Sequence, residues 1–370
     1  MKINMSDLKK QHDGLRDDLD NVIKEVIDSN AFILGGKVTE FENDYSSFTG
    51  AKYTIGMASG TGALHVALAA LDVGIGDEVI TVPFTFAATL EMIHLTGAKS
   101  VLVDIEPRSF TMDVTKIEDA ITDKTKVILP VHLYGQMADM DAIMELAEKY
   151  ELKVIEDAAQ AQGSLYKGVH AGTIGDIGTF SFYPGKNLGA MGDAGACTTN
   201  SGALADKMRL LLNHGQSRKY EHTIVGYNYR LDTIQAAVLG VKLKELSKWN
   251  EHRNKIASIY AENLKDTGLV LPIINENRNH VWHQYVIRTG KRDDLKEALS
   301  DLGIATALHY PVPLHLQPSF AYLGHSKGDF LVAELCSEEV LSLPIYPELP
   351  AATAVEISQE VVKICKRLGI

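Results

Sequence analysis

Short apolar runs alternate with amphipathic stretches along the first half of the chain. The runs are YTIGMAS at 53–59, DEVITV at 77–82, KSVLVDI at 99–105, TKVILPVH at 125–132 and KVIEDAA at 153–159. This alternation is typical of βα units, in which helices cover both faces of a parallel sheet. We therefore predict an α/β fold built on a largely parallel sheet.

Two further strand-like runs, IGTFSFY at 177–183 and GACTTN at 195–200, lie close together along the chain. The connection between them is too short for a helix of normal length. Since a parallel crossover needs about a dozen residues or more, this pair predicts a hairpin or another tight connection. The sheet is therefore expected to be mixed but mostly parallel.

Long helical patterns begin the chain and follow its middle. Residues 8–29 predict a leading amphipathic helix, and residues 231–265 predict a long helix that leads into a second domain. We place the domain boundary near Trp249, which gives a large domain at 1–248 and a smaller α+β domain at 249–370. The smaller domain contains a strand-like HQYVIR at 283–288, a helical DDLKEALSDLG at 293–303 and the loop HYPVPLHLQPSF at 309–320.

The net charge of −12 disfavours nucleic-acid and acidic-membrane partners, because either polyanion would be repelled. Cys197, Cys336 and Cys365 are an odd number without metal-type spacing, so neither a disulfide framework nor a metal site is indicated. The first eleven residues lack the apolar core of a secretion signal, and no apolar run could span a bilayer. We therefore expect a cytoplasmic protein.

The most informative stretch is FSFYPGKNLGAMGDAGA at 180–196, where a single lysine, Lys186, lies in a glycine-rich loop. A lysine captures carbonyl compounds when desolvation or a neighbouring cation removes its proton. Glycines let the backbone approach a ligand closely. An exposed loop lysine is the ordinary alternative, so the hypothesis depends on partner residues elsewhere in the chain.

Two such partners follow the apolar run at 153–156. Asp157 comes at the end of a predicted strand, where open α/β sheets bind their ligands, and could hold the ring nitrogen of pyridoxal phosphate. An N-cap role for Asp157 is equally compatible with the sequence. Gln160 could reach the phenolic oxygen of the cofactor, or it could be a surface or capping glutamine.

A candidate anion site lies in ASGTGALHVAL, where Ser59, Gly60, Thr61 and Gly62 lead from a strand into a helix. The free N–H groups at a helix N-terminus bind phosphate well, although small residues also open helices for packing reasons. Neither Walker spacing nor a G-x-G-x-x-G motif is present. Their absence disfavours an NTPase and a Rossmann oxidoreductase.

Together these motifs resemble the DegT/DnrJ/EryC1/StrS family of sugar aminotransferases, which are pyridoxal-phosphate enzymes of fold type I. The resemblance runs nearly end to end and includes AFILGGKVTEFE, GDEVITVPFTFAAT, VHLYGQMADMD, VIEDAAQAQGSLYKG, NHGQSRKY, GYNYRLDTIQAA and EVLSLPIYPEL. It implies an aspartate-aminotransferase-like fold, with a mixed, mostly parallel seven-stranded sheet sandwiched by helices. One departure is GDAGA where many relatives have GDGGA, which would strain Ala194 if that position needed a positive φ.

The resemblance also implies roles for individual residues. Lys186 would carry the cofactor as a Schiff base, Asp157 would pair with the pyridine nitrogen, and Gln160 would contact the ring oxygen. The remaining cofactor contacts would come from Phe86 by stacking, from Gly60, Thr61, Gly62 and Ser181 at the phosphate, and from Asn228 of a neighbouring subunit. The last contact requires a homodimer with shared active sites.

The implied substrates are L-glutamate and a nucleotide-linked keto sugar, and the expected class is a dTDP-3-keto-6-deoxyhexose. The candidate substrate residues are Tyr183, Arg230, His309, Tyr310, His315 and Gln317. Arg230 could bind the diphosphate in a planar fork or form an interface salt bridge, and the histidines could satisfy local backbone groups. Amination at C4 of a dTDP-, UDP- or GDP-linked sugar and a non-catalytic nucleotide-sugar-binding regulator are the alternatives.

Overall fold

The computed structural model describes residues 3–370, so Met1 and Lys2 of the predicted large domain lie outside the described residues. The strands are β1 Tyr53–Met57, β2 Glu78–Thr81, β3 Lys99–Leu102, β4 Thr125–Ile128, β5 Lys153–Asp157, β6 Leu165–Tyr166, β7 Val169–His170, β8 Ile177–Ser181, β9 Gly195–Thr199, β10 Gln216–Arg218, β11 Glu221–His222, β12 Tyr285–Arg288 and β13 Val340–Leu343.

The helices are α1 Leu8–Asp13, α2 Arg16–Ser29, α3 Gly36–Thr49, α4 Gly60–Ala70, α5 Ala88–Leu95, α6 Ile117–Ala120, α7 Met140–Lys149, α8 Gly202–Leu212, α9 Thr233–Leu243, α10 Leu246–Leu264, α11 Arg292–Asp301, α12 Leu331–Glu339 and α13 Ala351–Leu368. Short 3₁₀ turns lie at Val114–Lys116, Leu133–Gly135, Leu314–Leu316 and Pro318–Leu323.

Seven strands form the central sheet in the order β1-β9-β8-β5-β4-β2-β3. β9 runs antiparallel to both β1 and β8, whereas the pairs β2–β3, β2–β4, β4–β5 and β5–β8 are parallel. The predicted mixed, mostly parallel seven-stranded sheet is therefore confirmed. The tight connection predicted between 177–183 and 195–200 is the β8–β9 pair, and the loop between these strands carries Lys186.

The apolar core forms two clusters. The larger one surrounds the sheet, with β2, β4, β5 and β8 almost completely buried because both faces are covered. The smaller one joins α10, α11 and α13 to β12 and β13 and also includes Ile3 from the start of the chain. The boundary placed near Trp249 falls inside α10 and stays a prediction.

Two helices predicted as continuous are divided in the structure. The leading helix is interrupted at Gly14 and Leu15, and the pattern at 231–265 is interrupted at Lys244 and Glu245. The apolar period continues across each interruption, so periodicity alone could not locate the breaks.

Candidate active site

A cavity of about 630 Å³ opens at the carboxyl-terminal ends of the parallel strands. Its wall is formed by the segments that follow β1, β2, β4, β5 and β8, together with loops that precede β12 and follow α11. Because successive parallel strands bring their carboxyl ends to one edge, residues far apart in sequence meet there. The cavity is lined by Ser59, Gly60, Thr61, Leu64, Thr85, Phe86, Ala88, Thr89, Val131, Asp157, Ala159, Gln160, Ser181, Tyr183, Gly185, Lys186, Asp193, Ala194, His283, Gln284, His309 and Tyr310.

One end of the cavity is the N-terminus of α4. The Ser59 Oγ atom caps this helix by accepting the Gly62 N–H at 3.0 Å. Gly60 lies so close to β8 that an added Cβ would come within 2.6 Å of the Ser181 Cβ. The helix N-terminus, with its unpaired first-turn N–H groups and positive dipole end, is suited to an anion such as a phosphate.

The loop from Phe182 to Ala190 presents Lys186 to the cavity. It is closed by hydrogen bonds from the Lys186 N–H to the Tyr183 carbonyl and from the Ala190 N–H to the Phe182 carbonyl, both 2.8 Å. Burial lowers the pKa of Lys186 to about 8, and the nearby Asp157 opposes this effect. An appreciable fraction of the amine is therefore uncharged at weakly alkaline pH, which is the form that attacks carbonyl carbon.

The strain considered for Ala194 does not arise. Ala194 is buried and has no positive φ, and its carbonyl accepts the Phe182 N–H at 2.8 Å. The close approach falls instead at the next residue, Gly195, where a Cβ would meet the carbonyl carbon of Ser59 at 2.4 Å.

Asp157 lies at the end of β5, and its carboxylate faces the cavity from a buried position. The Thr89 hydroxyl donates to Oδ2 at 2.9 Å and the Ala159 N–H donates to Oδ1 at 3.2 Å. Burial nevertheless raises the pKa of Asp157 above its ordinary value. A cationic group in the cavity would offset the cost of burying this carboxylate.

Gln160 has a defined amide orientation. Its Oε1 atom accepts the Tyr134 N–H at 2.8 Å, so its Nε2 atom is the donor, and Nε2 lies 3.1 Å from the Tyr310 hydroxyl oxygen. Burial raises the pKa of Tyr310 to about 12, so this phenol remains protonated. Gln160 and Tyr310 thus present neutral hydrogen-bonding groups to the cavity.

Ten of the residues to which the resemblance assigned a role line the cavity of a single chain: Gly60, Thr61, Phe86, Asp157, Gln160, Ser181, Tyr183, Lys186, His309 and Tyr310. Phe86 keeps 59% of its surface exposed there, which leaves a ring face available for stacking. Burial and the charge of Lys186 lower the pKa of His309 to about 4, so this imidazole is neutral.

The other predicted residues lie outside the cavity of the single chain. The Gly62 N–H is used by the Ser59 cap, Asn228 is exposed, and Arg230 donates to the Asn213 Oδ1 atom at 2.8 Å. His315 lies within the 3₁₀ turn Leu314–Leu316, Gln317 follows that turn, and neither residue lines the cavity. The substrate contact assigned to them from the sequence has no support in this geometry.

His315 is held elsewhere by a buried contact. Its Nε2 atom lies 3.0 Å from the Glu334 Oε1 atom, and Phe330 packs edge-on against the imidazole ring. His315 is therefore bound to a side chain 19 residues further along the chain, which is neither the substrate contact nor the local backbone contact considered from the sequence.

Three contributors to the site were not singled out from the sequence. Thr89 binds Asp157, while His283 and Gln284 extend the cavity wall just before β12. Thr89 ends the TFAAT segment that contains the predicted site residue Phe86, and His283 begins the strand-like run HQYVIR. Both residues therefore lie in segments that the sequence analysis had already identified. No grouping of three or more histidine, cysteine or acidic side chains suited to a metal ion occurs between residues 3 and 370.

The residues present fit pyridoxal phosphate. A lysine amine of lowered pKa, a buried carboxylate without a cationic partner and a helix N-terminus face one another across the cavity. They match the carbonyl carbon, the protonatable ring nitrogen and the phosphate of this cofactor, respectively.

Comparison with known proteins agrees with this chemistry. The sequence model of the DegT/DnrJ/EryC1/StrS aminotransferase family matches residues 14–362. The chain belongs to this family. It is therefore a pyridoxal-phosphate-dependent aminotransferase with the fold that the sequence predicted.

Similar proteins include a "pleiotropic regulatory protein" of Geobacillus stearothermophilus, which is 49% identical over 94% of this chain and 95% of its own length. A UDP-N-acetyl-3-dehydro-α-D-glucosamine 3-aminotransferase of Acidithiobacillus ferrooxidans is 45% identical over 94% of each chain. A dTDP-3-amino-3,4,6-trideoxy-α-D-glucose transaminase of Streptomyces venezuelae is 41% identical over 98% of this chain and 96% of its own length.

Solved structures show the same likeness. The crystal structure of S. venezuelae DesV in complex with a ketimine intermediate superposes with a TM-score of 0.96 at 41% identity and covers 98% of each chain. NtdA of Bacillus subtilis, crystallised with the bound cofactor PMP, gives a TM-score of 0.90 at 33% identity over 99% of this chain and 85% of its own.

Proposed function

We propose that this aminotransferase moves the amino group of L-glutamate to the C3 carbonyl of a nucleotide-linked 3-keto sugar in deoxyamino-sugar biosynthesis. The observation that carries the proposal is the joint presence of Lys186, Asp157 and Gln160 around one cavity in a chain of this family. Relatives named for a 3-amino, 3-oxo or 3-dehydro sugar support the C3 position. Their names include both UDP and dTDP, and the dTDP-3-keto-6-deoxyhexose remains our expected substrate.

When bound, pyridoxal phosphate supplies an electron sink that stabilises negative charge at the carbon bearing the amino group. The Lys186 Nζ atom would first hold the cofactor and then, once released, carry a proton between the donor's α-carbon and the cofactor. A pKa of about 8 suits this work, because the amine can both accept and return a proton near neutral pH.

The other residues would hold the reacting groups still. Asp157, kept in place by Thr89 and the Ala159 N–H, would keep the ring nitrogen protonated. Gln160 would donate from Nε2 to the ring oxygen, and Phe86 would cover one ring face. For the phosphate we propose Gly60 and Thr61 of the α4 N-terminus, together with Ser181, because the Gly62 N–H is already bound by the Ser59 cap.

For the sugar nucleotide, Tyr183, His309 and Tyr310 are proposed contacts because they line the cavity. Arg230 and Asn228 would reach the site from a second copy of the chain. The segment before them carries the exposed apolar side chains of Val225 (89% exposed) and Tyr220 (81% exposed), which a second copy of the chain would cover. We therefore propose a homodimer with shared active sites.

Complementation would test the shared site. Mixed dimers of Asn228→Ala and Lys186→Ala contain one site with an intact lysine and an intact partner asparagine, so they should regain activity that both parent homodimers lack. The composition of the mixed dimers would be verified by mass spectrometry. If verified mixed dimers remain inactive, Asn228 does not complete the active site of the neighbouring subunit.

We place the reaction in the cytoplasm, where the three buried free cysteines would remain reduced. No helix within residues 3–370 is long and apolar enough to cross a membrane.

A regulatory role is the second candidate, since two relatives are named a pleiotropic regulatory protein and a sensory transduction protein. A substrate screen separates the possibilities. Purified protein would be incubated with L-glutamate and with 3-keto and 4-keto sugars linked to dTDP, UDP or GDP, and products would be identified by mass. Amination of a 3-keto sugar is expected. Amination of 4-keto sugars alone would refute the C3 assignment, and binding without any product would favour the regulator.

A further inference from the structure

His283 is a buried histidine that lines the cavity two residues before β12, with only 9% of its surface exposed. Its Nδ1 atom lies 3.2 Å from the Oδ1 atom of Asn187, the residue that follows Lys186. Within residues 3–370 this is the only hydrogen bond that the ring makes. A neutral imidazole has one protonated and one unprotonated nitrogen, so the direction of this bond decides what the second nitrogen offers to the cavity.

The surroundings of Asn187 establish that direction. Its Nδ2 atom donates to the Asn250 Oδ1 atom at 2.9 Å and to the Val281 carbonyl at 2.8 Å, which uses both amide protons. The atom facing His283 must then be the amide oxygen, which can only accept. The His283 Nδ1 atom therefore carries the proton.

A chain of buried amides supports this orientation. Asn250 donates from its own Nδ2 to the Gln162 carbonyl at 3.0 Å, which leaves its Oδ1 to accept from Asn187. Since the backbone carbonyl oxygens of Val281 and Gln162 cannot donate, reversing the Asn187 or the Asn250 amide would place two acceptors against each other.

The second nitrogen of His283, Nε2, therefore carries a lone pair on the side of the ring away from Asn187. The charged and titratable groups that act on this ring are Lys186, Arg253, His309 and His280. Burial, followed by the positive charges of Lys186 and Arg253, lowers the pKa of His283 well below its ordinary value, so the ring stays neutral. A neutral acceptor thus lies in the same cavity as the Lys186 amine.

We propose that His283 is a positioning residue whose Nε2 atom accepts a hydrogen bond from the Lys186 ammonium and holds it in place between successive proton transfers. The proposal rests on the transfer reaction given above. It assigns a specific task to the Asn187 contact: this contact selects the tautomer, and the tautomer makes Nε2 an acceptor rather than a competing donor.

The tautomer can be measured directly. In protein labelled with ¹⁵N-histidine, the His283 signals are identified as those lost in His283→Gln. We expect a protonated Nδ1 and an unprotonated Nε2 between pH 6 and 9. A proton on Nε2, or a doubly protonated ring in this range, would overturn the proposal.

The effect on Lys186 is tested in cofactor-free protein with two variants. His283→Phe keeps an aromatic ring but removes the acceptor, whereas His283→Gln offers an amide oxygen in its place. The rate of pyridoxal phosphate capture, followed by absorbance against pH, reports the titration of Lys186. The cofactor itself also titrates, but it does so equally with the unmodified protein and with both variants, so differences between the three profiles come from the protein. Because an acceptor stabilises the ammonium, the midpoint should fall by about one pH unit in His283→Phe and stay near that of the unmodified protein in His283→Gln.

Equal midpoints in all three proteins, or equal shifts in both variants, would refute the acceptor role. Far-ultraviolet circular dichroism and thermal unfolding establish that each variant is folded, and the ¹⁵N measurement decides the tautomer even if His283→Phe fails to fold. Neither measurement uses a sugar nucleotide. Failure of this inference is therefore distinguishable from failure of the proposed sugar amination.

Discussion

The close contact between Gly60 and Ser181 gives a quantitative test of the anion site. In Gly60→Ala the new Cβ would lie 2.6 Å from the Ser181 Cβ and 3.0 Å from its Cα. Carbon atoms in favourable contact are about 3.5–4.0 Å apart, so one wall of the site must move by roughly an ångström. Overpacking of this kind costs about 1–3 kcal/mol.

Gly36→Ala is the matched control. Gly36 is also the first residue of a helix, α3, but a Cβ there would meet nothing within 4 Å. Gly36→Ala should stabilise the folded chain slightly, by up to about 1 kcal/mol, because alanine restricts the unfolded chain.

If the strain in Gly60→Ala is relieved at the expense of phosphate binding, cofactor affinity should fall roughly ten- to hundredfold, since about 1.4 kcal/mol corresponds to a factor of ten.

The assay is a titration of each cofactor-free protein with pyridoxal phosphate, followed by absorbance, with thermal unfolding measured on the same samples. Gly60→Ala should show weakened cofactor binding and lowered thermal stability, and Gly36→Ala should show neither. Unchanged cofactor affinity in Gly60→Ala would refute the placement of the phosphate at the N-terminus of α4.

Further predictions concern groups around and behind the cavity. Thr89→Val removes a hydrogen-bond donor to the Asp157 carboxylate, so the pKa of Asp157 should rise further. A pH–rate profile should then show kcat roughly tenfold lower and an acid limb that is shifted to higher pH. Burial lowers the pKa of Lys242 from its ordinary value of 10.5 to about 8. Between these two pH values the unfolded chain binds more protons than the folded chain, so the stability of the folded chain rises with pH through this window. Lys242→Met should lack this gain in thermal scans, whereas the exposed Lys244→Met should retain it; equal pH dependence in both would contradict the assignment. His315→Gln should lower stability by about 1–3 kcal/mol through loss of its buried partner but leave KM for the sugar nucleotide unchanged, and a raised KM would restore the substrate role assigned from the sequence.

The fold was largely predictable because its strands are short apolar runs separated by helical patterns. The spacing between 177–183 and 195–200 predicted a hairpin or another tight connection, and the structure has the antiparallel β8–β9 pair there, with Lys186 in its loop. The strand order was not predictable from the pattern, because it depends on which crossovers pack best against the whole sheet.

Within the site, residues in recognisable motifs were found and their supporting partners were not. Thr89 and Asp157 are 68 residues apart, and His283 and Asn187 are 96 residues apart, so only the folded chain brings each pair together. In contrast, the family resemblance assigned His315 to the substrate together with His309 and Tyr310 of the same loop. That loop turns within a few residues, and the turn at Leu314–Leu316 directs His315 into a buried pair with Glu334.

The central claim, that this enzyme uses Lys186 to move the nitrogen of L-glutamate to a 3-keto sugar nucleotide, is tested most directly by following the nitrogen atom. The holoenzyme would be supplied with ¹⁵N-labelled L-glutamate and a dTDP- or UDP-linked 3-keto sugar, and the mass of the product would be measured by mass spectrometry. We predict a sugar nucleotide that carries the label at C3 and is absent with Lys186→Ala. An unlabelled product, or equal labelling with Lys186→Ala, would contradict the claim.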